Sequence, residues 1–183
     1  MALRATVFKA DLQVADLDRG HFADYALTLA RHPSETDERM MVRLLAFALH
    51  ASATLAFGPG LSTEDEPDLK DVDATGGIER WIDVGLPDDK TIRRACNRSR
   101  HVVVVAYGGR AAEAWWRQTA DKVADQKKLR VLLLGPEEGR SLAAFAQRGM
   151  SLRCTIQDGV VWLDSDDRHA ELAPRVLFSP EAL

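Results

Sequence analysis

STEDEPDLKDVDATGGIERWIDVGLPDDKTIRRA, residues Ser62 to Ala95, is the stretch on which the fold turns. Asp68 follows Pro67 and so begins an extended run, because the residue before a proline and the proline itself both resist helix. Residues Ile78 to Val84 alternate as a strand should, with Ile78, Ile82 and Val84 on one face and Glu79, Trp81 and Asp83 on the other. An acid therefore ends a strand whose opposite face is apolar. Pro87, with Asp88 and Asp89 beside it, opens a helix through about Arg98, since proline suits the first turn and acids suit the positive helix end. Lys90 falls in that first turn, near the end of the strand carrying Asp83. Two carboxylates on neighbouring strands with a lysine nearby are what a magnesium site working on phosphate requires.

Upstream, Leu3 to Val14 reads as a strand with Thr6, Phe8, Ala10, Leu12 and Val14 on one face. The turn chemistry of Asp16 to His21 joins it to a second alternating run through Tyr25, Leu27 and Leu29, an antiparallel hairpin. A helix then runs from a Ser34 cap, with Asp37 as the acidic half of a capping box, to about His50. Met41, Val42, Leu45, Ala48 and Leu49 form its apolar stripe, and Arg39, Arg43, Ala46 and His50 form the face left for water. Glu38 lies on the stripe, where a carboxylate is costly unless it meets a cation, a metal or donors. It is a candidate metal ligand, and the plain alternative is an acid placed at the helix start. Ala53 to Phe57 is a short strand ended by Gly58, Pro59 and Gly60.

Downstream, the continuous apolar run His101 to Tyr107 marks a strand buried on both faces. A helix over about Arg110 to Lys127, a strand Leu129 to Leu134 and a helix Glu137 to Arg148 stopped by Gly149 continue an alternation that predicts a parallel portion of sheet. Ser151 to Gln157 and Val160 to Leu163, joined at Asp158 and Gly159, form a second hairpin. The tail from Ser165 is polar and reads as irregular.

With 183 residues, 46% hydrophobic and 28% charged, the chain has the composition of one ordinary globular domain spanning 1–183. A net charge of -4 argues against coating nucleic acid by bulk attraction and leaves only a local patch for the purpose. Cys96 and Cys154 have no metal-ligand spacing, the start MALRATVFKAD lacks a leader pattern, and no apolar run reaches membrane-spanning length. These features predict a cytoplasmic protein with reduced thiols and no membrane partner.

RHPSETDERMMVRLLAF (31–47), EDEPDL (64–69), WIDVG (81–85), PDDKTIRRAC (87–96) and CTIQDGVVWL (154–163) together resemble the YaeQ family of bacterial proteins over nearly the whole chain. What the resemblance implies is an α/β fold with a restriction-endonuclease-like core of the PD-(D/E)XK superfamily. That core runs helix, three strands, helix, strand (αβββαβ), a mixed central sheet with flanking helices, over about residues 34–107. The N-terminal and C-terminal β-hairpins are additions to it. The superfamily's acid after a proline is matched by Pro67 and Asp68. Its acid-X-lysine is matched in part by Asp83, Val84 and Gly85, with glycine where the lysine belongs and Lys90 on the following helix as substitute. Glu38 matches the helix acid some members add. The resemblance thus implies Mg²⁺ or Mn²⁺ on Asp68, Asp83 and Glu38, with Lys90 orienting the attacking water of a phosphodiester hydrolysis.

Lys90, Arg94 and Arg98, four apart on one face and with Arg93 beside them, offer a track for nucleic-acid phosphates, or equally a solvated helix face. Glu66, Glu79 and Gln157 are secondary candidates. Asp71 to Ile78 imitates a calcium loop, but Ile82 stands where the closing glutamate should be, which favours a hairpin turn. Trp115 and Trp116 could stack on bases, or one packs in the core while the other is half-exposed. The alternative to a nuclease is a catalytically inactive nuclease fold that serves as a binding or regulatory partner.

Overall fold

A computed structural model describes residues 4–59 and 65–180; Leu3, Gly60 and Ser62 to Glu64 lie outside the described residues. Strict alternation over β1 (Thr6–Asp16) buries Phe8, Ala10, Leu12 and Val14, and β2 (His21–Arg31) returns antiparallel to it. The C-terminal hairpin, β8 (Gly149–Gln157) and β9 (Val160–Asp164), turns at Asp158 and Gly159, both at positive φ. The two hairpins are not separate appendages. β8 lies parallel to β1, and β10 (His169–Leu172) closes a five-stranded sheet in the order β10-β9-β8-β1-β2.

The second sheet has the order β11-β7-β6-β5-β4-β3. β3 (Ala56–Phe57), β4 (Leu69–Val72) and β5 (Ile78–Val84) form an antiparallel meander, and the β4–β5 turn is the expected hairpin, held by Asp73 Oδ1 accepting from the amides of Thr75 and Gly77. After α2 (Asp89–Arg98), β6 (Ser99–Ala106) joins β5 in parallel; after α3 (Arg110–Val123), β7 (Leu129–Leu133) joins β6 in the same sense. Within β6, Val103 and Val105 pack on one side and Val102 and Val104 on the other, so the apolar run is buried on both faces as expected. α4 (Pro136–Ala143) follows, and β11 (Arg175–Phe178) pairs with β7. None of the helices among the described residues is long and apolar enough to cross a membrane.

Several sequence expectations are corrected. The tail is not irregular, because short strands β10 and β11 find one edge of each sheet. α4 stops at Ala143, and Gly149 begins a strand rather than ending a helix. A bulge near Val72 brings Ile78 to the side of Trp81, away from Ile82 and Val84. Trp115 and Trp116 are both half-buried, Trp115 Nε1 donating to the Pro87 carbonyl at 2.6 Å.

The largest correction concerns α1 (Asp37–His50). Its cap is Thr36, whose Oγ1 accepts from the Arg39 amide, so the helix begins three residues beyond Ser34. The face assigned to water is covered: Arg43 and Ala46 are buried, because α1 lies between the two sheets and shares one core with Leu12 and Leu152 of the first and Ile82 and Val103 of the second. Arg43 is tolerated there by a two-point ion pair, Nε and Nη2 each 2.8 Å from the Glu35 carboxylate, and by donation to the Ala30 carbonyl at 3.0 Å. Removing one member of such a pair strands the other. Glu35→Ala is expected to lower unfolding stability by about 3–5 kcal/mol in urea titration. Glu35→Ala combined with Arg43→Met should cost clearly less than the two single changes summed.

Candidate functional site

Asp68 stands immediately before β4 and Asp83 near the end of β5, and both are buried, at 2% and 4% exposure. Asp68 Oδ2 accepts from the Val84 amide at 2.8 Å, which ties one acid to the strand of the other. Its Oδ1 accepts from Arg39 Nη2 at 2.7 Å. Asp83 Oδ2 accepts from Trp81 Nε1 at 2.9 Å, whereas its Oδ1 is buried without a partner. Burial pushes the Asp83 carboxyl up to about 6; the Trp81 bond opposes the rise, the charge of Asp68 adds to it, and the Asp68 backbone amide and Arg39 oppose it. A carboxylate so placed is costly, and unsatisfied buried oxygens of this kind concentrate at sites that bind or react.

The cation at the acids is Arg39. Its side chain is 19% exposed, with Nη1 2.9 Å from Glu35 Oε1 and Nη2 on Asp68, so it links the Glu35–Arg43 pair to the acid pair. Burial works against its charge, but Asp68 and Glu35 prevail and hold the guanidinium protonated. The pattern that could have revealed this was Glu35, Arg39 and Arg43 at intervals of four, with the acid ahead of the arginines. Helical periodicity alone placed both arginines in water.

Other sequence candidates are placed elsewhere. Glu38 is half-buried and turned toward α4, where its carboxylate fills the space that a side chain at Gly139 would need. Lys90 is exposed on α2, and among the described residues it has no hydrogen bond or ion pair to either acid. Glu66 pairs with Lys70 at 3.3 Å, and Glu79 with Arg100 at 3.5 Å. Gln157 is exposed at the end of β8, in the other sheet. On α2, Arg93 pairs with Asp125 at 3.1 Å, Arg94 lies 4.0 Å from Asp65, and Arg98 donates to the Asp65 carbonyl while lying over the Trp81 ring. Gly85, at the motif's lysine position, has φ +114°, a conformation that side-chain-bearing residues rarely adopt. A lysine at that point would be strained.

Among the described residues no group of three or more His, Cys, Asp or Glu could hold a metal ion. Magnesium nevertheless binds through one or two carboxylates and completes its shell with water and phosphate. The free Asp83 Oδ1 and the remaining lone pairs of Asp68 fit that mode, and they do not form a closed cage.

The raised Asp83 pKa has a definite sign in stability. Unfolded, the group titrates near 3.8; folded, near 6, so the folded state holds the extra proton between these values. The stability this supplies is fully present below about pH 4 and is lost as pH rises through 6. Asp83→Asn should remove that slope and exceed the wild type by about 3 kcal/mol at pH 8, converging with it near pH 4, in denaturant titrations.

A family model described as YaeQ protein matches residues 1–174. YaeQ of Escherichia coli (strain K12) is 47% identical over 172 residues, 94% of this chain and 95% of that one, and YaeQ of Salmonella typhi is 48% identical over the same span. The crystal structure of YaeQ from Xanthomonas axonopodis pv. citri superposes with a TM-score of 0.93 at 51% identity, covering 96% of this chain and 99% of that one. That of YaeQ from Pseudomonas syringae gives 0.91 at 32%, covering 96% and 97%. Matched through both sheets and at near half identity to relatives of almost equal length, the chain belongs to the YaeQ family.

Proposed function

We propose that the acid pair Asp68 and Asp83 is the metal-binding half of a phosphodiester hydrolase site of the PD-(D/E)XK kind, with Arg39 standing in for the strand lysine. The observation that carries this is the buried, unpartnered Asp83 Oδ1 beside Asp68. The order α1, β3, β4, β5, α2, β6 agrees with the αβββαβ core of that superfamily. A bound Mg²⁺ supplies a water of lowered pKa and offsets phosphate charge. Asp68 and Asp83 hold the ion; Asp68 is aimed by the Val84 amide, and Asp83 by the Trp81 indole. Arg39, partly open to solvent and anchored by Glu35, presents a fixed guanidinium to the charge that grows on the phosphate oxygens. Lys90 and the arginines of α2 guide the flanking phosphates rather than the reacting one. Fixing Arg39 on Asp68 also favours a second role, since a site whose first acid is already paired can bind a phosphate backbone without cutting it.

Titration calorimetry with Mg²⁺ and Mn²⁺, followed by incubation with mixed single- and double-stranded DNA and RNA, separates the two. Hydrolysis is expected to need the metal, to vanish in Asp83→Asn, and to fall at least about 100-fold in Arg39→Met, with a smaller loss in Lys90→Met. Metal-independent nucleic-acid binding with no cleavage in either metal would establish the binding role instead.

A further inference from the structure

At the far end of α1 from Arg39, a cavity of about 300 Å³ opens between the two sheets, its polar side formed by Asp16, Asp18, Arg19, His50, Arg80 and Arg130 and its apolar walls including Leu132, Ile156 and Val176. Eleven residues of helix separate Arg39 from His50, or about 16 Å along the axis, so this cavity is distinct from the acid pair. Arg80 on β5 and Arg130 on β7 flank β6, roughly 10 Å apart at the backbone, on the sheet face that α1 covers.

Two of these arginines have no direct partner among the described residues. Arg19 is accounted for: it pairs with Asp16 at 2.6 Å and donates to the Ala51 carbonyl at the helix end. Asp18 is used by the amides of Asp158 and Gly159. Arg80 and Arg130 are half-buried, and among the described residues neither has a hydrogen-bond or ion-pair partner; the Nε of Arg130 is fully shielded and unsatisfied. Asp71, opposite Arg80 across the β4–β5 pair, is the nearest compensating charge, but its oxygens accept from Ser52 and Thr54 rather than from Arg80, and Glu79 faces Arg100 and His101. His50 Nε2 is likewise buried without a partner. Burial first, then the charges of Arg80, Arg19 and Arg130, bring the His50 pKa down to about 3, so the ring is neutral at ordinary pH. Helix capping explains Arg19 and leaves the other two arginines and the imidazole unexplained. Two unpaired guanidinium groups and an unpaired imidazole around one small cavity match a dianion with several acceptor oxygens.

We propose that this cavity binds a phosphomonoester, its phosphate held by Arg80, Arg130 and His50 and its organic body against Leu132, Ile156 and Val176. Phosphate oxygens accept from both guanidinium groups and from the imidazole N–H. The apolar walls favour an organic ester over inorganic phosphate. The site does not depend on the acid pair.

Titration calorimetry of the full chain with phenyl phosphate and with inorganic phosphate, at constant ionic strength and without divalent metal, tests the proposal. Phenyl phosphate is expected to bind saturably and more tightly than inorganic phosphate. Arg80→Met and Arg130→Met should each weaken it at least about tenfold, and Asp83→Asn should leave it unchanged. A parallel arm with a 5′-phosphorylated oligonucleotide identifies the source, because binding there marks a nucleic-acid end and its absence marks a free small molecule. Should either methionine variant misfold, Arg→Lys variants and the His50 imidazole resonances of the wild type give the same readout, a shift on adding phenyl phosphate that the lysine variants diminish. No saturable binding by the wild type at millimolar phenyl phosphate, or binding that neither arginine substitution moves, would overturn the site.

Discussion

Glu35 gathers two arginines from one helix, and everything between the sheets depends on that carboxylate. Arg43 could not be buried without it, and Arg39 would not be held at Asp68. Through Arg43 the cluster reaches the Ala30 carbonyl at the end of β2; through Arg39 it reaches Asp68 and the strand beside it. The central helix is thereby fixed in rotation against both sheets. Apolar contact, which is non-directional, would leave that rotation poorly specified.

The same constraint shapes the candidate site. Asp68 is neutralised by an arginine whose position is set from behind, whereas Asp83 has the Trp81 indole on one oxygen, the Asp68 amide nearby, and a buried Oδ1 with no partner at hydrogen-bond geometry. Of the two carboxylates, one is therefore paid for by the fold and the other is not. That imbalance is the observation on which the proposed role of Asp83 rests. Under the proposed reading Gly85, at φ +114°, stands where the superfamily's lysine would be, and Arg39 of α1 is the cation beside Asp68.

Much of this was legible in the residues. Alternation gave the bounds of Ile78–Val84, though not the face of Ile78 beyond the bulge, and paired both hairpins correctly, since period-two patterns at a half-buried surface have few competing solutions. That Asp68 and Asp83 stand on neighbouring extended segments followed from Pro67 and from the strand pattern, whereas their burial did not. Long-range facts were not legible. No local signal says that β1 and β8 meet in parallel across more than a hundred residues, or that a helix with arginines every fourth position is covered on both sides. Polar residues look solvent-facing until their partners are known, and so Arg39, Arg43, Glu35 and the arginines around His50 were missed. Short edge strands such as β10 and β11 are set by the strand they join rather than by their own composition.

The most direct test of the central claim is to follow the Asp83 side-chain carboxyl carbon by NMR through a pH titration, with and without Mg²⁺. A midpoint near 6 is expected in the metal-free protein, with a clear downward shift on adding Mg²⁺. A midpoint in the ordinary carboxylate range that Mg²⁺ does not move would show that Asp83 is neither strained by its burial nor available to a metal, and the site would have to be sought elsewhere.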